Sequence, residues 1–206
     1  MAGARIWVYR HAESLSNAGA RTNEPWEIDL SPEGYRQAEE LAASIEERPV
    51  RLIASPFVRT THTLAPIAKR FPGVEIDIWP IQEFTYLAPA TCVGTSWRER
   101  KPRIDAYWRR LLPETVDGPG AESFEDLLAR ANAFLRRIAL FDDGLTIAVS
   151  HGQFLQAAMM LAEEGPKSPY AAMARFLERQ KQGSFRNCER LHLTAGDGRV
   201  KVEGRG

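Results

Sequence analysis

Two arginines and two histidines stand where apolar runs give way to polar residues. In RIWVYRHAES the run Ile6 to Tyr9 ends on Arg10 and His11, Arg59 follows SPFV, and LTIAVS runs into His151 and Gly152. A neutral imidazole held in line can attack phosphorus, and nearby guanidinium charges keep it neutral by disfavouring imidazolium. His11 is the candidate nucleophile. A phosphoryl group in transit spreads negative charge over three oxygens, so catalysis is largely positioning and positive charge. Arg10 and Arg59 suit that task because a guanidinium forks onto two oxygens, which lysine cannot do. His151, next to a helix start, adds a donor at a favourable terminus. Ser14, Asn17 and Gly152 are the expected further contacts to substrate. Each residue also has a plainer reading: a hydrogen-bonded histidine at a strand end, or a solvated arginine on a helix.

The elements that must position them follow from periodicity. Ile6 to Tyr9, VRLIAS and LTIAVS read as short buried strands of a parallel sheet, and VEIDIW alternates like another strand. Ser31 caps a helix with Pro32 at its first position and Tyr35, Ala38, Leu41, Ala42 and Ile45 on its inner face. A second helix starts near Phe57, and Ser123 with Asp126 approximates a capping box ahead of a third. A helix begins straight after His151, and RLHLTAGDGRVKV closes the chain as a hairpin turning at Ala195 to Gly198. The aromatic, basic stretch from Pro80 to Pro119 reads as an excursion over one end of the sheet, with RIDAYWRRLL as its helical part. Alternating strands and helices imply a three-layer α/β/α sandwich with a mostly parallel central sheet, whose ligands bind beyond the carboxyl ends of the strands. Those are the ends that carry the unusual residues.

Composition narrows the partners. The 206 residues suit one domain, 1–206, with a substrate-covering excursion at about 84–119. Lys plus Arg equals Asp plus Glu at 27 each, so no global field draws nucleic acid or an anionic membrane, and an anion has to be captured locally. Cys92 and Cys188 share no metal-ligand spacing and read as free thiols. With no signal-peptide pattern and no bilayer-spanning apolar run, a soluble cytoplasmic protein is expected; the chemistry proposed for His11, taken separately, calls for a small phosphorylated substrate and no metal or cofactor.

YRHAES with Asn17 resembles the Arg-His-Gly signature of the histidine phosphatase superfamily, which includes cofactor-dependent phosphoglycerate mutases. DLSPEGYRQAEELA, SPFVRTTHTLAPI, GAESFEDLLARA and VSHGQFL resemble that family's later blocks in the same order. The resemblance runs from about Arg10 to about Leu155 and implies a phosphoglycerate mutase-like fold. It also implies an acidic residue after the third strand region, which here is Glu83 in IQEFTYL, serving first as acid to the leaving oxygen and then as base to water. Glu13 and Glu122 compete for that role; Glu13 is alternatively a brace for an arginine and Glu122 a helix N-terminal charge.

Two positions depart from the family pattern. Ala12 stands where glycine is usual, which puts a methyl group beside the phosphate. His62 stands where glutamine is common and reads as a buried, hydrogen-bonded imidazole. Hydrolysis through a phosphohistidine on His11 is the leading expectation. A phosphoglycerate mutase fits NEPWEIDLS and QEFTYLAP poorly, and the acid phosphatase branch usually carries aspartate where this chain has Gly152. A non-catalytic phosphate-binding module, or a metal hydrolase built on His11, His62, His151 and Glu83, stays open. Arg98, Arg100, Lys101 and Arg103 are candidates to recognise a second anionic group. Sugar phosphates, phosphoglycerates, nucleotides and phosphoproteins all fit the sequence, which leaves the oligomeric state open too.

Overall fold

The computed structural model describes residues 3–206 apart from residue 23. Six strands form one sheet: β1 Ala4–Arg10, β2 Arg51–Ala54, β3 Ile76–Ile78, β4 Leu145–Ser150, β5 Arg190–Gly196 and β6 Arg199–Arg205, in the spatial order β3-β2-β4-β1-β5-β6. The pairs β3·β2, β2·β4 and β4·β1 are parallel, while β1·β5 and β5·β6 are antiparallel, so the hairpin adds an antiparallel margin to a parallel core. β4 is buried at all six positions, as expected for the central strand of a sheet covered on both faces.

Helices α1 Pro32–Ser44, α2 Val58–Arg70, α3 Trp97–Arg110, α4 Phe124–Ile138, α5 Gly152–Glu164 and α6 Pro169–Gln182 flank the sheet. One core joins β1 and β4 to α4, α5 and α6 around Phe124, Phe154 and Phe176; the other lies on the opposite face beneath α1 and α2, around Ile45, Leu64 and Ile67. Local chemistry sets the helix starts. Ser31 Oγ accepts from Gly34 N–H with Pro32 in the first turn, and reciprocal capping boxes open α3 (Ser96, Glu99) and α4 (Ser123, Asp126).

The secondary structure and its faces depart from the sequence reading in four places. α3 starts six residues ahead of Arg103, the first residue of the expected helical part, because the Ser96–Glu99 capping box outweighs the interior Pro102. α6, which buries Ala172, Met173 and Phe176, was not expected, since its apolar stripe is narrow among charged residues. β3 is only three residues long at the sheet edge. Tyr35 is not on the inner face of α1: it is 43% exposed, and its hydroxyl donates to Asp29 Oδ1 at 2.9 Å.

Adjacency of β1 and β4 is what positions the site. Arg10 pairs in register with Ser150, and His11 N–H donates to Ser150 O at 2.9 Å, so the two strands release His11 and His151 side by side.

Candidate active site

The site begins with the tautomer of His11. Its Nδ1 lies 2.7 Å from Ala12 O, and a carbonyl can only accept, so Nδ1 carries the proton. Nε2 then has a lone pair, which accepts from Arg59 Nε at 3.2 Å. His11 is 3% exposed. Burial, then Arg59, then Arg10 hold its pKa well below the ordinary histidine value, overcoming the opposing pull of the Ala12 carbonyl.

His151 has the opposite tautomer. Its Nδ1 accepts from Arg59 Nη2 at 3.1 Å, so Nε2–H donates to Ser55 Oγ at 2.7 Å. Ser55 Oγ also accepts from Phe57 N–H, and Thr60 Oγ1 lies 2.9 Å away. His151 is fully buried at the N-cap of α5, and burial followed by Arg59, His11 and Arg10 keeps it neutral as well. The two rings lie edge to face with centroids 5.1 Å apart.

One guanidinium therefore touches both imidazoles, and its third nitrogen, Nη1, donates to Pro25 O at 2.8 Å. Burial lowers the Arg59 pKa to about 10, against the pull of Glu83 and with Arg10 adding to the depression, so the group stays charged at neutral pH. Arg59 sits in the first turn of α2, and Thr63, one turn on, ties that turn to the His11 loop. Ala12 N–H donates to Thr63 Oγ1 at 3.0 Å, and Thr63 Oγ1–H donates to Arg59 O at 2.7 Å.

Arg10 Nη1 donates to Phe185 O at 2.6 Å, while its Nε is buried without a partner among the described residues. A buried guanidinium N–H with no acceptor is costly unless an anion supplies one. Gly152 lies against this side chain: a Cβ built there would sit 3.7 Å from Arg10 Cδ and Nε. Glu83 completes the charge pattern. Its Oε1 accepts from Gln153 N–H at 3.0 Å, in the first turn of α5, and from Phe84 N–H at 3.1 Å, leaving Oε2 for other work.

Of the remaining expected contacts, Ser14 is buried and its Oγ accepts from Asn17 N–H at 3.2 Å, while exposed Asn17 accepts through Oδ1 from Ser14 N–H at 3.3 Å. Asn17 Oδ1 also takes a bond from Asn187 Nδ2 at 3.2 Å, and the same nitrogen donates to His11 O at 2.9 Å. Asn187 was missed. No local pattern marks a residue 176 positions from its partner, whereas Ser55 and Thr63, also missed as site residues, had a strand end and the i+4 spacing from Arg59 to mark them.

The competing acids are engaged elsewhere. Glu13 Oε1 accepts from Ser31 Oγ–H at 2.7 Å and so braces a helix cap rather than an arginine. Glu122 makes a forked pair with Arg130 at 2.6 and 2.9 Å and accepts from Thr85 N–H, which clamps the 80–85 segment to α4. His62 is half-exposed, its Nδ1 2.6 Å from Asp29 Oδ1, where a buried imidazole was expected; its place on the outer side of α2 explains the difference. Ala12 joins Leu30 and Ala38 in a small apolar cluster, which accommodates its methyl group. His192 stands edge to face with Trp7 on β5, paired across to β1. Among the described residues no cluster of three or more His, Cys, Asp or Glu side chains assembles to hold a metal, and no helix is long and apolar enough to cross a membrane.

Arg59 and Glu83 open onto a cavity of about 170 Å³ lined further by Thr22, Tyr86, Trp97, Arg100 and Ile104. Tyr86, Tyr107 and Trp108 pack with Phe84 and Phe124 into an aromatic wall behind Glu83.

Residues 6–180 match the family model of the histidine phosphatase superfamily, branch 1. A metal-independent phosphoserine phosphatase from Arabidopsis thaliana is 31% identical over 159 aligned positions, with 74% of this chain and 66% of that protein covered. The chain thus spans just under two thirds of that relative. The fold is similar to a phosphoserine phosphatase from Entamoeba histolytica, solved as a mutant with phosphoserine (TM-score 0.72, 18% identity, 98% of this chain and 96% of that one). It is also similar to an α-ribazole phosphatase from Shigella flexneri (TM-score 0.73, 15% identity, 97% and 94%). The ordered sequence blocks, the mixed six-stranded sheet and the family match agree, and the chain belongs to the histidine phosphatase superfamily.

Proposed function

We propose that the protein is a metal-independent phosphatase of small phosphate monoesters, acting through a phosphohistidine on His11. The observation that carries this reading is the unprotonated Nε2 of His11, fixed by the bond from Nδ1–H to Ala12 O and flanked by Arg59 and Arg10. In the first half-reaction the substrate phosphoryl group displaces Arg59 from Nε2, and a P–N bond forms as the ester P–O bond breaks. Arg59, the orphaned Arg10 Nε and the α5 N-terminus take the charge of the three equatorial oxygens. Glu83, protonated, gives its proton to the leaving alcohol oxygen. As a carboxylate it then takes a proton from the attacking water while the P–N bond breaks, which returns phosphate and neutral His11.

Residues 1–206 are read as one domain in which the segment 84–119 covers the substrate, with Asn17, Ser14 and Gly152 shaping the phosphate surface. The two cysteines are free thiols, which supports a place in the cytoplasm.

Hydrolysis of p-nitrophenyl phosphate in the presence of a chelator tests the proposal. Turnover is expected to persist with chelator and to vanish in His11→Ala. Glu83→Gln is expected to slow an alkyl phosphate far more than the nitrophenyl ester, whose leaving group needs little protonation. Unchanged turnover in His11→Ala, or activity abolished by the chelator, would overturn it.

A further inference from the structure

The outer face of α4 takes no part in the candidate site, and no other element covers it. Glu125, Ala129, Asn132, Ala133 and Arg136 follow one another along it at helical spacing, and all five are exposed. They line two largely apolar hollows, of about 420 and about 710 Å³, which share Ala129 and Asn132 and so run together as one groove. Near Glu125 the groove is walled by Leu128, Leu161, Pro166 and Pro169. At its far end stand Leu140, just past the end of α4, and Gly198 of the β5–β6 turn. Leu140 is 78% exposed, more than any other large apolar side chain among the described residues, so one end of the groove offers a bare apolar knob and the other an apolar recess.

The charges on this face are self-complementary under a two-fold rotation. Glu125 and Arg136 lie about 16 Å apart along the helix axis, and neither has an ion-pair partner among the described residues. A second copy of α4, turned antiparallel about an axis through the middle of the helix, sets Glu125 of each copy against Arg136 of the other, so one rotation makes two pairs. The same rotation lays Asn132 over Ala129 of the other copy and carries Leu140 to the apolar end beside Leu128, Pro166 and Pro169. The free margins of the sheet are poorer surfaces for self-association. β3 is only three residues long, and β6 carries Arg199, Lys201, Glu203 and Arg205, charges that discourage edge pairing.

We propose that the exposed face of α4 is the interface of a symmetric homodimer, held by reciprocal Glu125–Arg136 pairs and by Leu140 of each copy seated in the apolar groove of the other. The inference stands apart from the phosphatase reading. One helix face with its walls is a small interface, so dissociation in the micromolar range is expected.

Sedimentation velocity on the full chain between about 1 and about 200 µM tests it, with monomer expected to give way to dimer as concentration rises. Glu125→Arg and Arg136→Glu each set like charges together and are expected to raise the dissociation constant about tenfold or more, while the double variant, which exchanges the charges across the interface, restores association. Leu140→Ser changes a position too exposed to support the fold and is expected to weaken the dimer about tenfold or more, the effect of losing a buried leucine. Circular dichroism confirms that each variant is folded. A wild-type chain still monomeric at about 200 µM overturns the inference and leaves the groove to a different protein. A dimer that any of the three single variants leaves unchanged overturns it too, because that dimer uses another face. So does a folded double variant that remains as weak as the single charge reversals.

Discussion

Arg59 Nε–H donates to His11 Nε2 over 3.2 Å, so the lone pair proposed as the nucleophile rests against the group proposed to hold the phosphate. The same guanidinium reaches His151 Nδ1 and Pro25 O. Lysine keeps the charge but has no fork with which to make three directed contacts. Arg59→Lys is therefore expected to lower kcat/KM for p-nitrophenyl phosphate by about 10²–10³-fold with the fold retained, the range seen when one transition-state donor is removed. A loss smaller than about threefold would show that charge alone suffices.

Stability should fall on mild acidification. His11 and His151 are held neutral in the folded protein with pKa values well below 6.5, whereas the unfolded chain takes up protons at the ordinary value. Their contribution is complete above the unfolded value and drains as pH falls below it, at up to about 1.4 kcal/mol per pH unit for each histidine. His192, shifted the same way by burial and Arg190, adds to this, while the depressed carboxylates of Asp29, Asp126 and Glu189 act only in more acidic solution. Urea denaturation at about pH 7.5 and about pH 5.5 is expected to give a lower unfolding free energy at the acid value. Equal stabilities would contradict the buried neutral imidazoles.

Gly34 supports the site from behind. A Cβ there would lie 1.9 Å from Glu13 O and 2.9 Å from its carbonyl carbon, which are backbone atoms of the loop following His11. Gly34→Ala has to push α1 away from that loop. A destabilisation of about 3 kcal/mol is expected, seen as a Tm lowered by roughly 6–12 °C. A Tm within about 2 °C of wild type would mean that the contact relaxes freely.

Asn187 fixes the His11 carbonyl and the Asn17 amide with one nitrogen. Asn187→Ala frees both and is expected to reduce kcat by about tenfold while changing Tm little, the pattern of a positioning residue rather than a structural one. Asn187→Asp, which lacks the donor, should behave alike. A loss of stability without a change in kcat would reassign the residue.

How much was legible in the sequence follows from the range of the interactions involved. His11, Arg59 and His151 could be read because each closes a local pattern, a buried run or a capped helix, that also fixes its place at the sheet's carboxyl edge. Ser31 and Ser123 announced their helices through cap chemistry confined to three residues. Asn187 could not be read, because its contacts come from the 183–189 segment folding back over β1, and nothing in SFRNCE encodes them locally. The burial of His62 was misread for a related reason: its half-exposed bond to Asp29 was decided by a partner 33 residues away. α6 was lost because charged residues dilute a narrow stripe that only the packed core reveals.

The proposed mechanism places a covalent bond between phosphorus and His11 Nε2. Rapid quenching of the enzyme with a labelled phosphate monoester, followed by peptide mapping, tests it most directly. One acid-labile, base-stable phosphoryl group is expected on the peptide bearing His11, accumulating in Glu83→Gln if water attack is slowed more than transfer, and absent from His11→Ala. Label on any other residue, or full turnover with no trapped phosphoenzyme in wild type and Glu83→Gln alike, would contradict it.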